Sequence, residues 1–206
     1  MFETRPARAA GWRAFVRAAC VVATLALGGC GSFYVDSGTP EVQASQYRKP
    51  AQAKPVQLMF EFQTKGAPNA RATEMLKAQI SEQVKTSGLF ADVAEQPVPG
   101  GAMLSIVLNN VPLTDDAFTK GFVTGLTFGL AGNQVSDGYV CTAKYLGEGQ
   151  AQPIVKSARH AIHTTVGAAA APANAVKADS IEAAVRTMTR QIVSTTLNEL
   201  SQEIAK

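Results

Sequence analysis

Two histidines, three cysteines and one pair of adjacent aspartates are the residues of this 206-residue chain whose types and spacing suggest chemistry. His160 and His163 form a His-x-x-His pair. On a helix, residues three apart share a face and such a pair can clamp a metal; on a strand, an odd separation sends the two rings to opposite faces. The stretch Ile154–Thr165 reads as a strand, and no second cysteine or acidic cluster nearby completes a four-ligand set. No metal site is therefore expected. Asp115-Asp116 follows Pro112-Leu113-Thr114 and reads as a solvated turn, not an acid–base pair. Gly147-x-Gly149 lacks the third glycine of a dinucleotide fingerprint and joins two strand candidates as a hairpin-like turn. Neither a Gly-x-Ser-x-Gly elbow nor a Gly-Lys-Ser/Thr phosphate loop occurs. Cys141 stands mid-strand beside Tyr139 and Tyr145, where free cysteines are usually buried and inert. No catalytic residue and no cofactor is expected, so the chain reads as a non-enzyme.

The other two cysteines belong to the N-terminus. Arg5, Arg8, Arg13 and Arg17 are followed by the uncharged run Ala18–Leu27, which contains Cys20, and then by Leu27-Gly28-Gly29-Cys30. Ten apolar residues suit the core of a signal peptide and fall well short of the ~20 that span a bilayer. Of 19 basic and 16 acidic residues, four basic and one acidic lie in residues 1–29, so the whole net charge of +3 sits there and 15 of each sign remain beyond. The balance speaks to export, and no nucleic-acid partner is expected. The Leu-Gly-Gly-Cys order resembles the lipobox of bacterial lipoproteins. An ordinary secretory signal shares the small residues but has no use for the cysteine. The resemblance implies cleavage between Gly29 and Cys30, diacylation of the Cys30 sulfur and acylation of the new amine. One acyl chain holds a protein marginally at a membrane, whereas two or more anchor it stably. Gly31, where an aspartate would favour inner-membrane retention, resembles the Gram-negative default of an outer-membrane anchor facing the periplasm.

The elements beyond the anchor follow from periodicity. Gly31–Lys54 shows no apolar period and holds Gly38, Pro40 and Pro50; it reads as a flexible tether with an end-to-end distance of roughly 25–30 Å. Val56–Thr64 alternates as a half-buried strand. Asn69 is a plausible N-cap for a helix carrying Ala72, Met75, Leu76, Ile80 and Val84 on one face, ended by Gly88. Short strand 89–93, strand Ala102–Val111, and strands Asp137–Leu146 and Ile154–Thr165 follow. The last helix starts at a capping-box-like Asp179 with Glu182 and carries Ile181, Val185, Met188, Ile192, Thr196, Leu200 and Ile204. The expectation is a signal peptide at 1–29, a lipidated tether at 30–54 and one domain at 55–206. That domain is α+β, a mainly antiparallel sheet of about five strands with two helices on one face.

Strand Pro55–Thr64, the helix, the phrase Ser87-Gly88-Leu89-Phe90 with Val93, and strand Leu104–Leu108 together resemble the β-α-β-β unit of small envelope lipoproteins. These include transport-system auxiliary lipoproteins and, more remotely, curli-secretion and penicillin-binding-protein-activator lipoproteins. Thr124–Leu130 with Asp137 and Tyr139 is similar to a Gly-Leu-Thr-Leu-Gly-Leu signature of uncharacterised lipoproteins, although Ala131-Gly132-Asn133 stands where a proline is common. The segment 117–132 is unusual in itself: Gly121, Gly125 and Gly129 recur among Phe122, Leu126, Phe128 and Leu130. Three readings stand: a core-packed insert, a partner-binding or oligomerising patch, and a bilayer-dipping loop. The functional expectation is a lipoprotein that docks on an unidentified envelope protein, as an accessory of transport or envelope assembly. The alternative is a small-molecule or lipid-binding module that uses 117–132. Oligomeric state is not legible.

Overall fold

The computed structural model describes residues 31–112, 134–167 and 169–206. The expected signal peptide at 1–29, with Gly29, and Cys30, Asp115-Asp116 and segment 117–132 lie outside them. Ser32–Lys206 forms one compact unit.

Among the described residues, eight strands make one open sheet: β1 (Gly31–Asp36), β2 (Val56–Thr64), β3 (Ala67–Pro68), β4 (Val93–Ala94), β5 (Met103–Pro112), β6 (Gln134–Leu146), β7 (Ile154–Val166) and β8 (Ala175–Ala178). Their order is β3-β2-β5-β6-β7-β1-β8, with β4 also beside β2. Two helices, α1 (Ala70–Thr86) and α2 (Ile181–Ile204), pack on the same face and against each other, α1 over β2 and α2 over β6 and β7. The alternating side chains do the packing. Leu58, Leu104, Ile106, Leu108 and Ile162 of the sheet meet Leu76, Ile80 and Val84 of α1 and Met188, Ile192 and Leu197 of α2 in one core.

The fold class holds as α+β, and the sheet differs from expectation in two ways. It is mixed, because β2 runs parallel to both β5 and β4. Helix α1 carries the chain back along the sheet, so the strand after it must run the same way as β2. The sheet is also wider than five strands: β3 and β8 have two and four residues, too few to show a period, and β1 lies in the expected tether, while the expected strand 89–93 is reduced to β4 at Val93–Ala94. The Asn69 cap forms as expected, its side chain accepting from the Ala72 amide at 3.1 Å. Gly88 ends the first helix with φ +67°. Helix α2 starts one residue later than expected: Ser180, not Asp179, is the cap and accepts from the Ala183 amide at 3.1 Å. Glu182 does not close a box but pairs with Arg186 at 3.0 Å.

The expected tether at 30–54 needs the larger correction. Gly31–Asp36 is a sheet strand paired antiparallel with β8, in the register Phe33↔Ala178 to Asp36↔Ala175. Both of its faces are covered, with Val35 at 4% and Asp36 at 1% exposure. A strand buried on both sides shows an apolar run (Phe33-Tyr34-Val35) and no alternation. The rest of the stretch is pinned to α2 by that helix's hydroxyls. The Val42 amide donates to Ser194 Oγ (2.9 Å), the Arg48 amide donates to Ser201 Oγ (3.2 Å), and Tyr47 is buried.

β1 also runs antiparallel to its other neighbour. Asp36 faces His163 of β7, while Thr39 Oγ1 donates to the Arg159 carbonyl at 3.0 Å, so one chain rises as the other falls. β1 therefore begins at the end of the sheet where β7 finishes at Val166, β6 begins at Gln134 and β5 finishes at Pro112.

Candidate functional site

The two histidines lie on β7 and point to opposite faces, as an odd separation on a strand requires. His160 faces α2. Its Nε2 lies 2.9 Å from Gln191 Oε1, and its Nδ1 lies 2.9 Å from the Ala161 amide nitrogen and 3.2 Å from the Ala161 carbonyl oxygen; a proton on Nε2 suits the first two contacts. Burial pushes its pKa below the ordinary histidine value of 6.5, against the opposing effect of the Gln191 bond.

His163 lies on the face away from the helices, between two other strands. Its Nδ1 is 2.7 Å from Ser136 Oγ of β6, and its Nε2 is 3.4 Å from Asp36 Oδ2 of β1. Asp36 Oδ1 in turn accepts from the Gly38 amide at 2.7 Å. Serine, imidazole and carboxylate in a row is the order of a nucleophilic relay, here with the two ring nitrogens in exchanged roles. The imidazole and the carboxylate are 0% and 1% exposed. With that burial the cluster acts as a staple, tying the N-terminal strand to β7 and β6 through hydrogen bonds in a medium that strengthens them. Sequence reasoning missed it because Asp36 was assigned to the tether. The one local signal was an apolar run, Phe33-Tyr34-Val35, ending in an acid.

Cys141 is fully buried on the helix face of β6. Burial pushes its thiol up to about 12, partly offset by a hydrogen bond with Thr196 of α2. A reactive thiol needs the opposite shift. Gly147–Gln150 forms the expected β6–β7 turn: the Gln150 amide donates to the Gly147 carbonyl (3.2 Å), and Gly149 takes φ +72°. Among the described residues, two open clefts flank the core. One, of about 400 Å³, lies at the β6–β7 hairpin end and includes Leu89, Phe90, Tyr145 and Ile204, with the Phe90 and Tyr145 rings 5.8 Å apart. The other, of about 310 Å³, lies along the β8 edge between Val35, Pro40, Val176 and Ala183. Among the described residues, no group of three or more His, Cys, Asp and Glu side chains is placed to hold a metal ion. None of their helices is long and apolar enough to cross a membrane.

The candidate lipidation residue Cys30, the cleavage residue Gly29 and the interaction segment Gly121, Phe122, Gly125, Leu126, Phe128, Gly129 and Leu130 lie outside the described residues. The chain leaves the described sheet at Pro112 and re-enters at Gln134.

No family model and no curated protein matches the chain. Solved structures similar to it include the PelC dodecamer from Paraburkholderia phytofirmans, at 12% identity over 82% of this chain and 98% of that one, with a TM-score of 0.35. They also include a minor lipoprotein from Acinetobacter baumannii (13% identity, 76% of this chain and 90% of that one, TM-score 0.30). A third is the rare lipoprotein B from Shewanella oneidensis (13% identity, 73% and 90%, TM-score 0.30).

Proposed function

We propose that the chain is an envelope lipoprotein, anchored through acyl chains on Cys30 in the outer membrane and facing the periplasm. In this reading its domain acts without catalysis, by docking on a protein partner as an accessory of transport or envelope assembly. The observation that carries the anchor is the order of the N-terminus: arginines to Arg17, ten apolar residues, then Leu27-Gly28-Gly29-Cys30. Burial of the chemistry-bearing side chains supports a non-catalytic role, because His160, His163 and Cys141 are each 0% exposed and offer no reacting atom to a substrate.

The docking surface is assigned to Gly121–Leu130, which is free of charge and rich in glycine and phenylalanine. Its test is deletion of 122–130 together with a photo-crosslinker placed at Phe122 in intact envelopes. The expected outcome is a discrete crosslinked adduct from position 122, and loss of the co-purifying partner on deletion with the melting temperature retained. A folded deletion variant that keeps every partner contradicts the assignment.

A further inference from the structure

Six large apolar side chains stand exposed among the described residues: Met59, Val135, Val155, Val166, Val176 and Ile181. Three of them gather at one end of the sheet. Val166 closes β7 and Val135 is the second residue of β6, both at the end where β1 begins. Ile181 opens α2 three residues after Ala178, the register partner of Phe33. Their exposures are 60% for Val135, 47% for Val166 and 45% for Ile181.

We propose that this end of the sheet is a bilayer-facing end, and that Val135, Val166 and Ile181 seat the domain on the lipid surface beside its anchor. The inference rests on the lipoprotein reading and adds an orientation to it. Phe33, the first residue of β1 in register with β8, follows Cys30 by only three residues, a reach of at most ~11 Å. Neighbouring strands lie about 4.8 Å apart, which puts β7 one strand and β6 two strands (~10 Å) from β1. With no tether to let the domain stand off or turn, acyl chains on Cys30 bring this end to the membrane and the apolar rim with it.

The opposite end is unsuited to the same contact. There the Lys54–Glu148, Lys156–Glu203 and Lys206–Glu203 pairs stand around the β6–β7 hairpin and the end of α2. Contact at the rim is apolar, not electrostatic: around Ile181, Asp179 and Glu182 are balanced by Lys177 and Arg186, so anionic lipid adds little attraction there and added salt leaves the orientation unchanged.

Tryptophan placement tests the orientation, because the chain's single tryptophan, Trp12, lies in the signal peptide. The full chain is expressed with its own signal, as Val135→Trp, Val166→Trp, Ile181→Trp and, at the other end, Val155→Trp. Each variant is recovered from membranes and reconstituted into phosphatidylethanolamine–phosphatidylglycerol vesicles whose acyl chains are brominated near the headgroups. Intact mass is read on the same samples. The expected result is an acylated chain lacking Trp12, with emission at positions 135, 166 and 181 mostly lost relative to unbrominated vesicles and emission at 155 retained. Acylated protein with equal quenching at all four positions, or more at 155, overturns the orientation and leaves the anchor standing. Unacylated protein overturns the anchor and this inference with it.

Discussion

The two faces of the sheet are buried by different means. On the helix face, Leu104, Ile106, Leu108 and Ile162 meet Leu76, Ile80, Ile192 and Leu197, and burial is mostly apolar contact, with His160–Gln191 and Cys141–Thr196 as the polar pairs set within it. On the other face, where β1 ends, a polar cluster is buried beside Ala161: Asp36, His163 and Thr165 are each 2% exposed or less. The first face gains from every methylene removed from water. The second is held by matched partners and is sensitive to the loss of any one of them, since an unpaired buried polar group bears its full desolvation cost.

The sharpest break of this contrast is Asp36→Ala. It removes the carboxylate from two groups, His163 Nε2 and the Gly38 amide, at a cost of ~1–3 kcal/mol for each. Denaturant unfolding of the variant reads this loss. A double-mutant cycle with His163→Ala shows strong non-additivity, because the second change removes the charge or dipole stranded by the first. Next in size is Leu197→Ala on the helix face, at about 2–5 kcal/mol for a fully buried leucine. Val155→Ala, at 50% exposure on the open face, stays within about 0.5 kcal/mol in the same assay.

A smaller effect is the pH dependence that His160 contributes. The folded-state pKa of His160 lies below 6.5, so the unfolded chain takes up the proton first. Its contribution to stability is whole above about pH 6.5 and is lost as the pH falls from there toward the folded-state value. Stability of the His160→Gln variant, measured from pH 7 to pH 5, falls less steeply than that of the parent. The smallest perturbation leaves the structure intact and reads Cys141, the remaining thiol once the signal is removed and Cys30 acylated. Alkylation at pH 8 is slower in the folded chain than in urea by on the order of 100-fold or more, because the thiol reacts only through opening of the core.

The apolar face was legible in the sequence and the polar one was not. The alternation of Val56–Thr64 and the helical spacing of Leu76, Ile80 and Val84 are local signals that survive folding, and so is the odd separation that turns His160 and His163 apart. The staple depends on Asp36 and His163, 127 positions apart, with a carboxylate in a stretch lacking period and rich in turn residues. Nothing local marks such a pair. β1 stayed hidden for a related reason: a strand covered on both sides loses the alternation that identifies a half-buried one. Of the candidate site, the opposed faces of the histidines, the burial of Cys141 and the turn at Gly147–Gln150 were legible. The apolar rim was not, since Val135, Val166 and Ile181 are brought to one end by the pairing of β6, β7, β1 and β8.

Anchoring at Cys30 is the claim on which orientation and docking both depend, and intact mass of the full chain recovered from membranes tests it most directly. The account predicts a chain that starts at Cys30 and carries the added mass of a diacylglyceryl group and an amide-linked acyl chain. It also predicts that Cys30→Ser leaves the membrane fraction. A chain that starts elsewhere, or starts at Cys30 without lipid and stays at the membrane, contradicts it.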